Sequence, residues 1–338
     1  RPKADGSFFA LFMPPPPPEA ARLFDLKLVV FEPDGSRHAD GSVLALAEPA
    51  NFRVKRIFQR PELLREKMTF IGTNGRGGML RIPVSWGRLT SRYDSLLAAN
   101  LDTDIPEDRW IMLSHCRAWL VYQGYSQALN TDCLEAFEAD DDTGGTWRYH
   151  IPTGQGEDVI VNLGLKMIAG ENAVQLALYR QPHGGVAGRL KDSRPVQLIL
   201  RPDIENRNFH QTTKAYLGPE KEWPQKVSCT QQAFRFTPDT DHSLRMQISK
   251  GEFIAEPEWQ YMVHRAVDAD RGLDPDSDLF SPGYFSVFLE GGQLVTVAAE
   301  IVQTPETAPA DIIGMTRRLP GPVASGATDG GTPRDVLT

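Results

Sequence analysis

Residues Asp158–Gln181 read DVIVNLGLKMIAGENAVQLALYRQ. Apolar side chains fall on alternate positions from Val159 to Met167 and again from Val174 to Leu178. A period of two is that of a strand with one face buried. The signal recurs along the chain. RPVQLILRPDI (194–204) follows the loop PHGGVAGRLKDS (182–193), and AFRFTPDTDHSLRMQIS (233–249) alternates on both sides of a Pro-Asp turn. YFSVFLEGGQLVTVAAEIV (284–302) reads as a hairpin bending at Glu290–Gln293. FDLKLVVF (24–31), PDGS (33–36) and SVLALAE (42–48) read as another. The 29 glycines and 26 prolines exceed the usual share and sit between these runs. Helical periodicity is scarce: RPELLREK (60–67) reads as a short helix or turn, and RYDSLLAANL (92–101) is the best internal helix candidate.

Close-spaced alternating strands predict an all-β chain, a large antiparallel two-sheet β-sandwich with few short helices. We divide it into a β-rich N-terminal extension (1–66), the sandwich (67–303) and a linker or disordered tail (304–338) rich in Pro, Gly, Ala and Thr. The linker-like composition sets the expectation of a further domain beyond it. Pro14–Pro18 reads as a stiff polyproline connector.

The 338 residues carry a net charge of −8 with scattered Lys and Arg, which argues against a nucleic-acid surface. No apolar run approaches the roughly 20 residues needed to cross a membrane, and the first residues lack the long apolar core of a signal peptide. Cys116, Cys133 and Cys229 are too few and too widely spaced for a disulfide framework or a zinc site. Reduced thiols and a cytoplasmic location are the expectation.

TNGRGGM (73–79) lacks the Gly-Lys-Ser/Thr of a phosphate loop and the spacing of a dinucleotide fingerprint. Asn74-Gly75 is a turn pair, and Gly77-Gly78 removes side chains where a backbone, a neighbouring domain or a sugar comes close. Asp274, Asp276 and Asp278 alternate as in a calcium loop, but Leu279 and Phe285 stand where that loop needs Gly and Glu. No nucleophile elbow is present, and the 44 acidic residues cannot be paired into a glycosidase dyad from sequence alone. Glu256, Glu258, Asp268 and Asp270 lie near Trp259 and Tyr261, a composition suited to sugar contact or to a packed strand face. No metal and no cofactor are expected.

Two long stretches together resemble one family. TFIGTNGRGGMLRIPVSWGRLTSRYDSLLAANLDTDIPEDRWIMLSHCRAWL (69–120) is similar to the start of bacterial and archaeal glycogen debranching enzymes. That family carries an Asn-Gly-x-Gly-Gly, Arg-Tyr-His and Leu-Leu pattern there. EPEWQYMVHRAVDADRGLDPDSDLFSPGYFSVFLEGGQ (256–293) resembles the pattern that closes the same N-terminal domain. The resemblance spans Met68–Val302. It implies a supersandwich-like β-sandwich preceding an (α/α) toroidal catalytic domain of an amylo-α-1,6-glucosidase. The implied partners are that C-terminal catalytic domain and α-glucan (glycogen or limit dextrin). The family's catalytic carboxylates lie in the helical domain, so no catalytic residue is carried over to this chain. Asp94 replaces the family histidine, Met79 a tyrosine and His264 a glutamate. Candidate carbohydrate-binding or interdomain residues are Asn74, Gly75, Gly77, Gly78, Trp86, Arg92, Asp94, Trp259 and Arg271. A free-standing carbohydrate-binding or protein-interaction sandwich is the alternative reading.

Overall fold

The computed structural model describes residues 22–32, 34–45, 55–65, 67–102, 104–105, 108–140 and 144–302. The proline run Pro14–Pro18, the tail after 302 and residues 141–143 lie outside them. The chain divides into two units, Arg1–Val54 and Lys55–Thr338.

In the first unit, β1 (Arg22–Glu32) and β2 (Gly35–Ala45) form the expected hairpin, with Glu32 opposite Gly35 and Arg22 opposite Ala45. In the second unit, strands numbered in chain order build two antiparallel sheets. The nine-stranded sheet runs β14 (Val227–Cys229), β15 (Ala233–Phe236), β16 (Ser243–Ile248), β19 (Leu294–Val302), β12 (Ala173–Arg180), β11 (Asp158–Met167), β10 (Gly144–Pro152), β9 (Leu134–Asp140) and β3 (Lys55–Gln59). The eight-stranded sheet runs β17 (Glu252–His264), β18 (Asp276–Leu289), β13 (Val196–Asn208), β7 (Trp110–Tyr122), β6 (Ser95–Ala99), β5 (Met79–Pro83) and β4 (Thr69–Thr73), with β8 (Tyr125–Ala128) beside β7. Helices are short: α1 (Arg60–Arg65), α2 (Pro219–Glu222) and α3 (Ala266–Asp270). This is the two-sheet all-β architecture that the alternation predicts.

The core lies between the sheets. Trp147, Tyr149 and Ile151 of β10, Val161 and Leu163 of β11, and Leu176 and Leu178 of β12 are all fully buried. They share one cluster with Leu80, Leu120, Leu198, Leu200 and Phe285 of the facing sheet. Each such side chain contributes roughly 1.5–3 kcal/mol by leaving water. The buried indoles keep their N–H groups satisfied: Trp147 Nε1 donates to Val84 O at 2.7 Å and Trp86 Nε1 to Cys116 O at 3.1 Å.

Two expectations are corrected. The stretch 92–101 is no helix, because Ser95–Ala99 is strand β6 and all five of its residues are buried. A strand buried on both faces loses its polar alternation and cannot be told from a helix by pattern. The run 284–302 is not a hairpin either, since β18 pairs with β13 and β17 while β19 pairs with β12 and β16. Glu290–Gln293 therefore carries the chain from one sheet to the other. Buried Arg180 steadies that crossing, donating to Leu289 O at 2.9 Å while its own carbonyl accepts from Gly292 N at 2.9 Å. β3 and α1 lie in the second unit. Phe58 stacks on Phe137 of β9 with centroids 6.2 Å apart.

Candidate functional site

The Asn74–Gly78 loop joins β4 to β5 at one end of the sandwich. Gly75 and Gly77 adopt φ of 75° and 88°, a region that favours glycine. Asn74 is 4% exposed, and every polar atom it carries is engaged. Its Oδ1 accepts from Arg76 N at 2.8 Å, its Nδ2 donates to Glu171 O at 2.9 Å, and its carbonyl accepts from Gly170 N at 2.8 Å. Gly78 leaves room for that amide, because a Cβ there would stand 2.5 Å from Asn74 Nδ2. The loop is thus a tie between the two sheets. Arg109 extends the tie by donating from Nε to Gly77 O at 2.7 Å.

From Arg109 the same end continues to Arg92 and Asp94. Phe209 N donates to Arg109 O at 3.0 Å, and the Phe209 ring packs on Tyr93 with centroids 5.4 Å apart. Asp94 is fully buried. Its Oδ2 accepts from Thr90 N at 2.6 Å, Thr90 Oγ1 at 2.8 Å and Ser91 N at 2.9 Å, while Oδ1 is paired with Arg81. Four donors converge on this one carboxylate, more than an imidazole could accept. Arg92 clamps three segments. Its backbone N donates to Asp268 Oδ2 at 2.7 Å, and its guanidinium donates to His210 O at 2.9 Å and Asp274 O at 3.0 Å.

The centre of this network is Glu205, a residue the sequence reading did not single out. It is fully buried and receives Arg207 Nε at 2.6 Å, Thr213 Oγ1 at 2.8 Å, Arg265 NH2 at 3.3 Å and Ser114 Oγ. Burial alone raises its pKa, but Arg207 and Arg265 outweigh that and hold it at about 2. Burial also lowers the pKa of Arg265, whose Nε and NH1 have no partner among the described residues. The signal for these residues was in RPDIENRN (201–208). Arg201, Asp203, Glu205 and Arg207 occupy alternate positions of a single strand, whose pairing with β7 shifts register between Asp203 and Ile204 and between Ile204 and Arg207.

Asp278 completes the site. Its two oxygens accept from Met262 N and Ala215 N, each at 2.8 Å. This brings two segments side by side and leaves Tyr216 75%, Leu217 72%, Met262 71% and Tyr261 54% exposed. Asp274 pairs with Lys214 and Asp276 with His264, so the alternating aspartates brace loops. Among the described residues no group of three or more His, Cys, Asp or Glu side chains is placed to hold a metal ion. No helix among them is long and apolar enough to cross a membrane.

The structure therefore brings Asn74, Gly75, Gly77, Gly78, Arg92 and Asp94 to one end of the sandwich, with Arg271 exposed where α3 ends. Trp86 lies elsewhere, 2% exposed in the core with its ring 5.0 Å from that of Trp147. It offers no open face. Trp259 is half-buried on β17, stacked between Trp223 and Tyr261 at 5.5 and 6.3 Å. Glu256 and Glu258 pair with Arg201 at 3.0 and 2.9 Å.

Residues 69–296, about two thirds of the chain, match the family model described as glycogen debranching enzyme N terminal. A bacterial glucoamylase complexed with acarbose is a structural neighbour at 8% identity and a TM-score of 0.35, over 74% of this chain. The chain spans 36% of that protein's length. No curated protein matches the chain. On the strength of the family match, this chain belongs to the glycogen debranching enzyme N-terminal family.

Proposed function

We propose that the chain is the non-catalytic N-terminal sandwich of a glycogen-debranching α-1,6-glucosidase. It docks the end built around Glu205 and Asp278 onto a helical catalytic domain, and it contacts α-glucan there. One observation carries this reading. The stretches 69–120 and 256–293, far apart in sequence, meet through Arg92 and Asp268. Beside them four large apolar side chains stand open around Asp278. A cluster of exposed apolar side chains on firmly held segments suits a domain interface. Met262 reinforces that rigidity: it is held at φ 52°, a strained conformation for a side chain of its size.

Hydrolysis of the α-1,6 bond requires an acid and a base carboxylate across the sugar. At this end Asp94, Asp268 and Glu205 are fully buried and committed to arginines and hydroxyls. That supports a positioning role and no bond-breaking role. The test is co-purification with a separately produced helical domain of the family. Binding is expected for the wild-type chain and is lost in Leu217→Asp with Met262→Asp. Equal binding by the double variant would refute the assignment of this face.

The alternative reading, a free-standing carbohydrate-binding or partner-binding sandwich, is favoured by the same exposed face. It predicts no affinity for any helical domain and unaltered glucan binding in the double variant.

A further inference from the structure

The β1–β2 hairpin of the first unit is a sheet of two strands, and no third strand lies beside it among the described residues. Alternation sorts its side chains onto two faces. Phe24, Leu26, Leu28, Val30 and Val43 share one face. The other mixes Leu23, Val29 and Phe31 with Asp25, Lys27 and Asp40. Both faces are open: Leu28 is 51% exposed, Val30 45% and Phe31 84%. A two-stranded sheet cannot bury such faces by itself and is marginal in water. Its outer edges differ. β1, RLFDLKLVVFE, is rich in the β-branched and aromatic residues that favour pairing. β2 carries Arg37, Asp40 and two glycines, which blunt an edge.

A strand that adds to β1 must keep the apolar residues on one face, because residues directly opposite in an antiparallel pair point the same way. β1 meets this condition with its own reverse. All eleven positions then pair. Arg22 falls opposite Glu32 at both ends, Leu23 opposite Phe31, Phe24 opposite Val30, and Leu26 opposite Leu28. Lys27 meets its own copy at the centre, where each Lys27 already stands opposite Asp40 of its own hairpin. In the hairpin itself, Arg22 is opposite Ala45 and Glu32 opposite Gly35, so neither position is matched to a charge across the strands. A slide of one residue turns the apolar set to the wrong face. A slide of two leaves residues unpaired at the ends and separates Arg22 from Glu32.

We propose that β1 pairs antiparallel with β1 of a second copy of this chain, about a two-fold axis at Lys27. The product is a four-stranded sheet with β1 from each copy at the centre, β2 from each copy outside, and one continuous apolar face. Such a contact is self-complementary and closes on two copies. One strand per copy is a small contact beside a standard interface, so the dimer dissociates on dilution.

The test is sedimentation of the full chain across a range of concentrations. A monomer–dimer equilibrium is expected. Arg22→Glu and Glu32→Arg should each weaken it about ten-fold, because symmetry makes both end pairs repulsive at once. The double variant, with the two charges exchanged, should recover most of the lost affinity, which a variant that merely disturbs the hairpin would not do. A monomer at every concentration overturns the proposal, as does a dimer that neither reversal weakens or that the exchange fails to restore. Species that grow beyond the dimer would show open-ended pairing and overturn the closed two-fold contact.

Discussion

In the first half of β13, Val196, Leu198 and Leu200 are buried as hydrocarbon among the apolar faces of β7 and β18. In the second half, Arg201, Asp203, Glu205 and Arg207 are buried as charges. Both halves exclude water, but by different physics. The first half gains transfer free energy in proportion to area, and many shapes satisfy it. The second half must recover the desolvation of every ion through specific partners, and such networks contribute little net stability when intact. They are retained where geometry matters. Here the network ties together the segments of Arg92, Thr213 and Arg265 at the end proposed to face the catalytic domain.

Removing the central carboxylate breaks this comparison most sharply. Glu205→Leu strands Arg207 and Arg265 in the interior and should cost about 4 kcal/mol in urea denaturation. Replacing all three together, as Glu205→Leu with Arg207→Met and Arg265→Met, should recover most of that loss. If it does, the network sets geometry rather than stability. A core truncation gives the contrasting case: Leu176→Ala should cost about 3 kcal/mol by cavity formation, and no second substitution in the charged half should restore it.

Acid separates the two halves without mutation. The folded pKa of Glu205, about 2, lies below its unfolded value. Its contribution is therefore fully present above roughly pH 4.5 and is lost as pH falls toward 2. The integrated loss is roughly 3 kcal/mol. A pH series of denaturation midpoints should show this loss in wild type and a flatter profile in Glu205→Gln. The smallest effect is chemical. Cys229 is exposed while Cys116 and Cys133 are buried, so a thiol reagent should modify one site in the native chain and all three once it unfolds.

The apolar half of this logic was legible in the sequence. Val159–Leu178 shows its period directly, and those strands pair as β11 and β12. Strand β6 was not legible, because SLLAA is covered on both faces and carries no alternation to read. Nor was the sheet switch at Glu290–Gln293, since its glycines look the same whether the next strand pairs locally or crosses the sandwich. The family resemblance located two stretches, but not that they meet. That Arg92 reaches Asp268 across 176 positions depends on folding, and no local pattern announces it. The charges at 201–207 alternate in the sequence, yet only the tertiary structure shows that they are buried. Trp86 shows the converse case: near the glycines in sequence, it is turned by a φ of 54° into the core.

The most direct test of the account titrates the purified chain with branched limit dextrin and follows glucose release in the same samples. A non-catalytic glucan-contacting sandwich predicts saturable heat of binding with no glucose formed. Sustained glucose release by the chain alone would contradict it, since the buried carboxylates described above would then have to break the bond.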